Sequence, residues 1–585
     1  MSRSRFCRSR LALLVAALIV AHAILLWRLA DLQLLRADEL REHAERQYQR
    51  LVKLDPIRGP ILDRNGHELA LSIEVFSVYA DPSEVRSAAV AARVLARALH
   101  VEEADLRNRL RAPRYFVWVK RKITDQEKVR VEALHVAGVG FIKESQRFYP
   151  KQTLAAHVLG HVGLDNDGQA GIEYSHDSLI RGQAGLVRTL KNGRGEGFYS
   201  EVEREPTGGA ALTLTVDEVL QHLAERELAE AVRSSDARWG SAVILDPRTG
   251  AVLALANVPT YDPNQAHRFR PETWRNRAIA DAYEPGSTFK VLTAAAALEA
   301  GVSNPSEWIY CQNGSIQVAR RTVRDHKSFG TLTFAQVLEQ SSNVGIIKVG
   351  LRLPPQRFFD TLTGFGFGAR SGVELPGESH GLLHPPAEWS GLTQAMMSMG
   401  QEIGVTPLQL ASAMAVVANG GTYHAPYLVE RLVGRDGQTL RAAAHGPGRR
   451  VLSPATAATL RRILQGVVLR GTGVRAAVPG YRVAGKTGTA QQIDASGRYS
   501  ARDYVASFVG WAPADSPALL ILVAVNAPRG AYHGGEVAAP VFSKIALPAL
   551  QYLRVPPDSA QPTPNGPSTL AALSPTLGRP SARLR

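Results

Sequence analysis

A chain of 585 residues is too long to fold around one hydrophobic core, so two or more compact units are expected. With 45% hydrophobic and 21% charged residues, its bulk composition is that of ordinary globular protein. The formal charge of +15 is spread along the chain with no clustered basic stripe or nucleic-acid-binding motif, which implies solvated basic faces and argues against a nucleic-acid partner.

Arg3, Arg5, Arg8 and Arg10 precede an apolar run from Leu11 to Trp27, about the minimum length that crosses a bilayer as a helix. Positive charge before the run predicts a cytoplasmic tail over 1–10, an anchor over 11–28 and export of the rest. Ala21-His22-Ala23 has the form of a signal-peptidase site, but Ile24 to Trp27 prolong the apolar run beyond it, as suits an uncleaved anchor. The two cysteines, Cys7 and Cys311, then lie on opposite sides of the membrane, so neither an intramolecular disulfide nor a cysteine metal site is expected. Leu29, Leu32, Leu35, Leu40 and Ala44 continue a helical spacing outward.

From about residue 50 to 210 the pattern is one of short strands and helices without a catalytic signature. Arg58 to Gly66 carries an Asn-Gly turn between apolar segments and reads as a hairpin. His157 and His161 have the spacing of a two-histidine clamp, but no Glu follows His157 and no third ligand is nearby, so ordinary packing is expected.

Beyond Ala211 the texture changes. Leu212 to Val216 alternates as a strand, Asp217 opens a helical pattern towards Val232, and Ser241–Leu245 and Ala251–Leu255 flank an Asp-Pro-Arg-Thr-Gly turn. Later strands are expected at Tyr481–Gly485, Tyr504–Val509 and Ala518–Val525, the last buried on both faces. Strands at both ends of a largely helical stretch imply an α/β (α+β) unit: one mixed sheet with a helical insertion. Residues 556–585 hold seven prolines and little that could form a core, and are expected to be disordered.

Three motifs carry chemistry. Pro285-Gly286 precedes an Ala- and Leu-rich helix closed by Gly301, so Ser287 falls at a helix amino end, where free amides favour negative charge. Lys290 returns to the same face one turn later, and desolvation would push it towards the neutral form, able to take the Ser287 proton. Ser341-Ser342-Asn343 stands between two helical stretches. There Ser341 can relay a proton to a leaving amine, while Asn343 can bind a substrate amide and steady Lys290. Lys486-Thr487-Gly488-Thr489 reads as an edge strand offering a cation and two hydroxyls to a carboxylate, with Gly488 admitting substrate close to the backbone. The amides of Ser287 and Thr489 would form the oxyanion hole. Alone, an S-x-x-K pair or a Ser-x-Asn is most often a helix cap. The three together are an acyl-transfer site.

Ser287-x-x-Lys290, Ser341-x-Asn343 and Lys486-Thr487-Gly488 occur in the order used by penicillin-binding proteins and serine β-lactamases. The chain resembles the class B penicillin-binding proteins, nearest to their FtsI-type division transpeptidases. Further likenesses lie in Arg58–Gly66, Arg147-Phe148-Tyr149-Pro150, Gly171-Ile172-Glu173, Asn276–Ile279, Val405–Leu410 and Tyr532-His533-Gly534-Gly535. Ser342 departs from the Ser-Asp-Asn form of class A β-lactamases, as is familiar in class B transpeptidases.

The resemblance implies a penicillin-binding fold with a helical subdomain over 211–555, an extended pedestal (dimerisation-type) domain over 29–210 and one membrane helix. It also implies a D,D-transpeptidase that cross-links peptidoglycan stem peptides from their D-alanyl-D-alanine ends and is acylated by β-lactams. The site calls for no metal or organic cofactor. With too few residues before the pedestal for a glycosyltransferase, a membrane-embedded glycan polymerase and other division proteins are the implied partners, at the septum of the bacterial cytoplasmic membrane. An elongation-type transpeptidase, a β-lactam sensor or β-lactamase, and a non-catalytic divisome scaffold are the rival readings. The anchor-and-pedestal architecture disfavours the lactamase, and the intact motif set disfavours the scaffold.

Overall fold

The computed structural model describes residues 3–41, 49–54, 56–191, 197–443, 448–494 and 496–558; most of the expected disordered tail, 559–585, lies outside them. An N-terminal helix runs Arg3–Ala30, and the span Arg10–Leu35 is long and apolar enough to cross a membrane, with none of it buried. The chain divides into two compact units, one built from Met1–Gly59, Ser72–Phe148 and Ser178–Ala210, the other from Pro60–Leu71, Tyr149–Asp177 and Ala211–Arg585.

In the first unit, helices Ala88–Leu99 and Glu103–Arg111 pack through Leu95, Leu99, Leu106 and Leu110 onto strand residues such as Val78 and Val119. A separate antiparallel sheet joins Gln49–Leu54, Gly185–Lys191 and Gly197–Arg204.

The second unit contains all three motifs. Its main sheet has five strands: β1 (Trp239–Leu245), β2 (Val252–Val258), β3 (Ala484–Ile493), β4 (Tyr499–Ala512) and β5 (Leu519–Asn526), in the order β2-β1-β5-β4-β3. Every strand pairing in it is antiparallel; a parallel pairing lies in a side sheet, where Ile61–Leu62 runs beside Leu212–Thr213. β5 is buried along its whole length, as its unbroken apolar run predicts.

One face is covered by α1 (Glu218–Ser234) and, at the chain's far end, α7 (Ala539–Tyr552). Between them in sequence come α2 (Lys290–Glu299), α3 (Phe334–Glu339), α4 (Asn343–Gly350), α5 (Pro407–Ala418) and α6 (Pro454–Arg470). α5 lies on the opposite face and is buried on all sides, while α2 packs against α4 and α6.

The segments 60–71 and 149–177 belong to the motif-bearing unit for local reasons. Asp63 accepts from the amides of Asn65 (2.8 Å) and His67 (2.8 Å), closing the expected turn. The Ala155 amide donates to Glu225 (2.8 Å). His157 Nε2 donates to Thr273 O (2.8 Å), and His161 Nδ1 meets Tyr261 Oη (3.4 Å); both rings pack on Tyr261. Gly160, at φ +77°, ends the helical turn between the two histidines, so they share no helix face, and among the described residues no group could hold a metal. Cys311 is a buried free thiol; the Cys7 side chain lies outside the described residues.

Asp217 caps α1, accepting from the amides of Val219 (3.0 Å) and Leu220 (3.3 Å), and it also takes Asn65 Nδ2 (3.1 Å) and Tyr552 Oη (3.2 Å). One carboxylate therefore ties the 63–67 turn, α1 and α7 together. Asp217→Ala should cost about 1–2 kcal/mol, read as a fall of a few degrees in thermal midpoint. An unchanged midpoint would remove this cap from the account of the fold.

Candidate active site

Lys290, in the first turn of α2, is fully buried among Val291, Leu292 and Ala294, so its ammonium must find acceptors inside the protein. Nζ donates to Ser341 O (2.6 Å), Asn343 Oδ1 (2.7 Å) and Ser341 Oγ (3.2 Å). Ser341 lies in the turn between α3 and α4, and Asn343 is the first residue of α4. Ser341 sits at φ +59°, a left-handed conformation costing a non-glycine residue about 1 kcal/mol or more. In that conformation one residue presents both its carbonyl and its hydroxyl to the same ammonium.

A residue not foreseen from the sequence fixes this turn. Asp325 accepts from Ser342 Oγ (2.8 Å), from the Val344 amide (3.1 Å) and, at shorter range, from the Asn343 amide. Asn343 Nδ2 donates to Arg324 O (2.8 Å). Asp325 follows the hairpin strand Arg321–Arg324 and reaches the turn only through the tertiary fold, so no local pattern in the sequence reveals it.

Lys486 is the second fully buried lysine. Its Nζ donates to the same Ser341 Oγ (3.1 Å) and to Thr487 O (3.1 Å), so the Ser341 hydroxyl stands between two amines. Burial pushes Lys290 down to about 7, with the Asp325 carboxylate opposing. Burial, and then the neighbouring Lys290 charge, pushes Lys486 well below its ordinary value. At neutral pH Lys290 is thus poised to exchange a proton.

β3 forms the edge of the main sheet, as expected, and the Gly286–Thr288 turn packs against it. Gly488 serves this packing: a Cβ there would stand 2.3 Å from Ser507 Oγ, 2.9 Å from Thr288 Cγ2 and 3.1 Å from Pro285 O. Its missing side chain therefore admits the Ser287 turn, where a close approach of substrate was expected. Thr487 Oγ1 and Thr472 Oγ1 are 2.6 Å apart, and Thr489 Oγ1 accepts from the Gly534 amide (3.0 Å), leaving the Thr489 proton free to be donated. Lys486 faces Ser341 from the interior, so the half-buried groups left for substrate are Ser287, Asn343 and Thr489.

Among the described residues the Ser287 hydroxyl makes no hydrogen bond, so the expected Ser287–Lys290 contact is not closed in this structure. Unliganded catalytic sites often tighten such contacts only when substrate arrives. The arrangement can support acyl transfer: a hydroxyl on an amide-rich turn, a neutralisable amine, a hydroxyl relay between two amines, and hydroxyl donors on an edge strand.

Comparison with known proteins agrees with this geometry. Residues 240–547 match the penicillin-binding protein transpeptidase domain, and residues 53–214 match the penicillin-binding protein dimerisation domain. The chain is 35% identical over 571 residues to the peptidoglycan D,D-transpeptidase FtsI of Escherichia coli, covering 95% of this chain and 94% of that protein. It is 33% identical over 564 residues to stage V sporulation protein D of Bacillus subtilis, covering 95% and 87%. Penicillin-binding protein 3 of Mycobacterium tuberculosis, solved with aztreonam, superimposes with a TM-score of 0.70 at 32% identity, covering 87% of this chain and 98% of that one. The chain belongs to the class B penicillin-binding proteins.

If neutral Lys290 activates Ser287, acylation of Ser287 by an activated thioester should rise with pH and level off above about 7. Asp325→Asn keeps the cap acceptor but removes the charge that raises Lys290, so the limb should move to lower pH. A limb that stays in place or moves upward would separate Asp325 from Lys290.

Proposed function

We propose that this class B penicillin-binding protein is a peptidoglycan D,D-transpeptidase. The observation that carries the reading is the buried Lys290 amine, held by Ser341 and Asn343 with its pKa brought to about 7 beside the Ser287 turn. Neutral Lys290 takes the Ser287 proton as Oγ forms a bond to the penultimate D-alanyl carbonyl. The amides of Ser287 and Thr489 receive the developing oxyanion. The C–N bond breaks, Ser341 passes a proton to the departing D-alanine amine and is reprotonated by Lys290, and an ester remains on Ser287. An amine from a neighbouring stem attacks that ester and gives its proton to the now neutral Lys290, which hands it to the departing Ser287 Oγ, leaving a cross-link and a free Ser287.

Thr489 Oγ1, already accepting from Gly534, has its proton to offer the substrate carboxylate, with Thr487 beside it. β-Lactams acylate Ser287 as dipeptide mimics, a reading supported by the aztreonam-bound relative.

We assign 29–210 to a pedestal, of which 60–71 and 149–177 fold with the motif-bearing unit, and 211–555 to the transpeptidase domain, carried by a single membrane helix over 11–28 with residues 1–10 in the cytoplasm. The arginines before the helix support this orientation. The activity is therefore extracytoplasmic, with glycan strands made by a membrane polymerase as substrate. The 35% identity to FtsI over 95% of the chain supports a septal role.

Benzylpenicillin should leave one covalent adduct, on Ser287 by peptide mapping, and Ser287→Ala should leave none. An adduct elsewhere, or one surviving the substitution, overturns the assignment. Depletion should give filaments with unfinished septa; rounded cells would assign the chain to elongation, and a defect confined to sporulation to the role of the Bacillus relative.

A further inference from the structure

Between the end of α2 and the Ser341 turn, the chain leaves two aromatic side chains in solvent. Strand Trp308–Tyr310 pairs antiparallel with Thr331–Thr333. Its alternation buries Ile309 on one face, while Trp308 and Tyr310 share the other at 68% and 52% exposed. A single exposed apolar residue needs no explanation, but two rings side by side on one face form a patch.

The surroundings of the rings are polar. Thr331 and Thr333 stand directly across the ribbon from Tyr310 and Trp308, and Asn313 Nδ2 donates to Tyr310 Oη (3.3 Å). Lys348 Nζ lies 5.5 Å from the Tyr310 ring centroid and donates to Tyr310 O (2.8 Å). A pyranose ring has matching parts: a face of C–H groups that stacks on an aromatic ring, and a rim of hydroxyl and acetamido groups that exchange hydrogen bonds with threonine and asparagine. A protein partner needs more surface, since two aromatic side chains cover roughly 300–500 Å² against about 800 Å² per partner in a stable interface.

Charge narrows the ligand further. The hairpin of Ser315–Val318 with Arg321–Arg324, and the loop that follows it, present Arg320, Arg324 and Lys327 to solvent. None of these three side chains closes an ion pair among the described residues. The one carboxylate of that stretch, Asp325, is turned onto Ser342 and the amides of Asn343 and Val344. A sugar chain bearing anionic peptides answers both the rings and the cations, whereas a bare glycan leaves the cations unanswered and a small anion leaves the rings uncovered.

This surface is continuous with the reaction site. Lys348, bonded to Tyr310, and Asn343 stand on the same helix, α4, about 7.5 Å apart along it at roughly 1.5 Å per residue. Arg324 O accepts from Asn343 Nδ2 (2.8 Å), so the cations begin at the wall of the cleft.

We propose that this surface docks the peptidoglycan strand itself: Trp308 and Tyr310 stack an N-acetylhexosamine ring, and Arg320, Arg324 and Lys327 take carboxylates of the stem peptides carried by the strand. The proposal rests on the transpeptidase reading and adds recognition of the glycan to recognition of the peptide end.

The test uses the full-length chain in detergent, with Ser287 first acylated by benzylpenicillin so that the cleft is closed to peptide ends. Soluble, uncross-linked strands of alternating N-acetylglucosamine and N-acetylmuramic acid are titrated by calorimetry, with their stem peptides attached and after an amidase has removed them. Both should bind, the peptide-bearing strand several-fold tighter, and added salt should erase that difference. Trp308→Ala should weaken both strands roughly tenfold, and Tyr310→Ala likewise. Arg324→Gln combined with Lys327→Gln should lower the peptide-bearing strand to the level of the bare one. Penicillin labelling of Ser287 should be unchanged in Trp308→Ala, which reports that the variant is folded; should it not fold, Tyr310→Ala decides the same question. No binding of either strand by the acylated wild type, or wild-type affinity in a folded ring variant, overturns the platform. Loss of a co-purifying protein from that variant, with strand binding intact, overturns it in favour of a protein partner. A wild type that takes up no penicillin overturns the transpeptidase reading instead, and the unacylated protein then still reports on the strand.

Discussion

The site depends on taking one ammonium out of water. Lys290 is completely buried on a helix of alanines, valine and leucine, and a charge so placed would cost several kcal/mol without partners. Its hydrogen bonds all come from the α3–α4 turn and the first residue of α4, which ties the position of Ser341 and Asn343 to the protonation of the lysine. Ser341 holds its two oxygens to this amine from a left-handed backbone at φ +59°, a strained conformation for a residue other than glycine. Asp325 then holds the turn through three bonds and supplies the one negative charge that keeps Lys290 from falling further.

The same economy extends to β3, the strand of the Lys-Thr-Gly motif. Arg470, at the end of α6, pairs with Glu339, at the end of α3, through Nε–Oε2 at 3.1 Å and a shorter Nη2 contact. Two residues past Arg470 stands Thr472, bonded to Thr487; two past Glu339 stands Ser341, bonded to both lysines. A single ion pair thus joins the supports of two motifs far apart in sequence. Glu339 is 3% exposed, so the pair is shielded on the carboxylate side and screened less than a surface bridge.

What could be read from the sequence was whatever local chemistry dictates. The strand at Ala518–Val525 announced its burial by an unbroken apolar run, α1 by Asp217 at its cap, and the site by three motifs whose residue types are chemically complementary. Asp325, Thr472 and the Arg470–Glu339 pair were not legible, because each acts across a tertiary contact and no local pattern distinguishes it from a surface polar residue. Gly488 was legible as a place of close approach, but not that the protein's own Ser507 and Thr288 occupy the space its Cβ would need. The two histidines at 157 and 161 illustrate the converse, since spacing suggested a shared face and a glycine at φ +77° removed it.

A division of labour follows from the burial pattern. Lys290, Lys486, Ser341 and Thr487 lie inside the protein, where their mutual bonds are independent of what occupies the groove, while Ser287, Asn343 and Thr489 remain half-buried at its surface. Any acyl donor that reaches those three groups meets the same poised amine, whether it is a peptide or a strained cyclic amide.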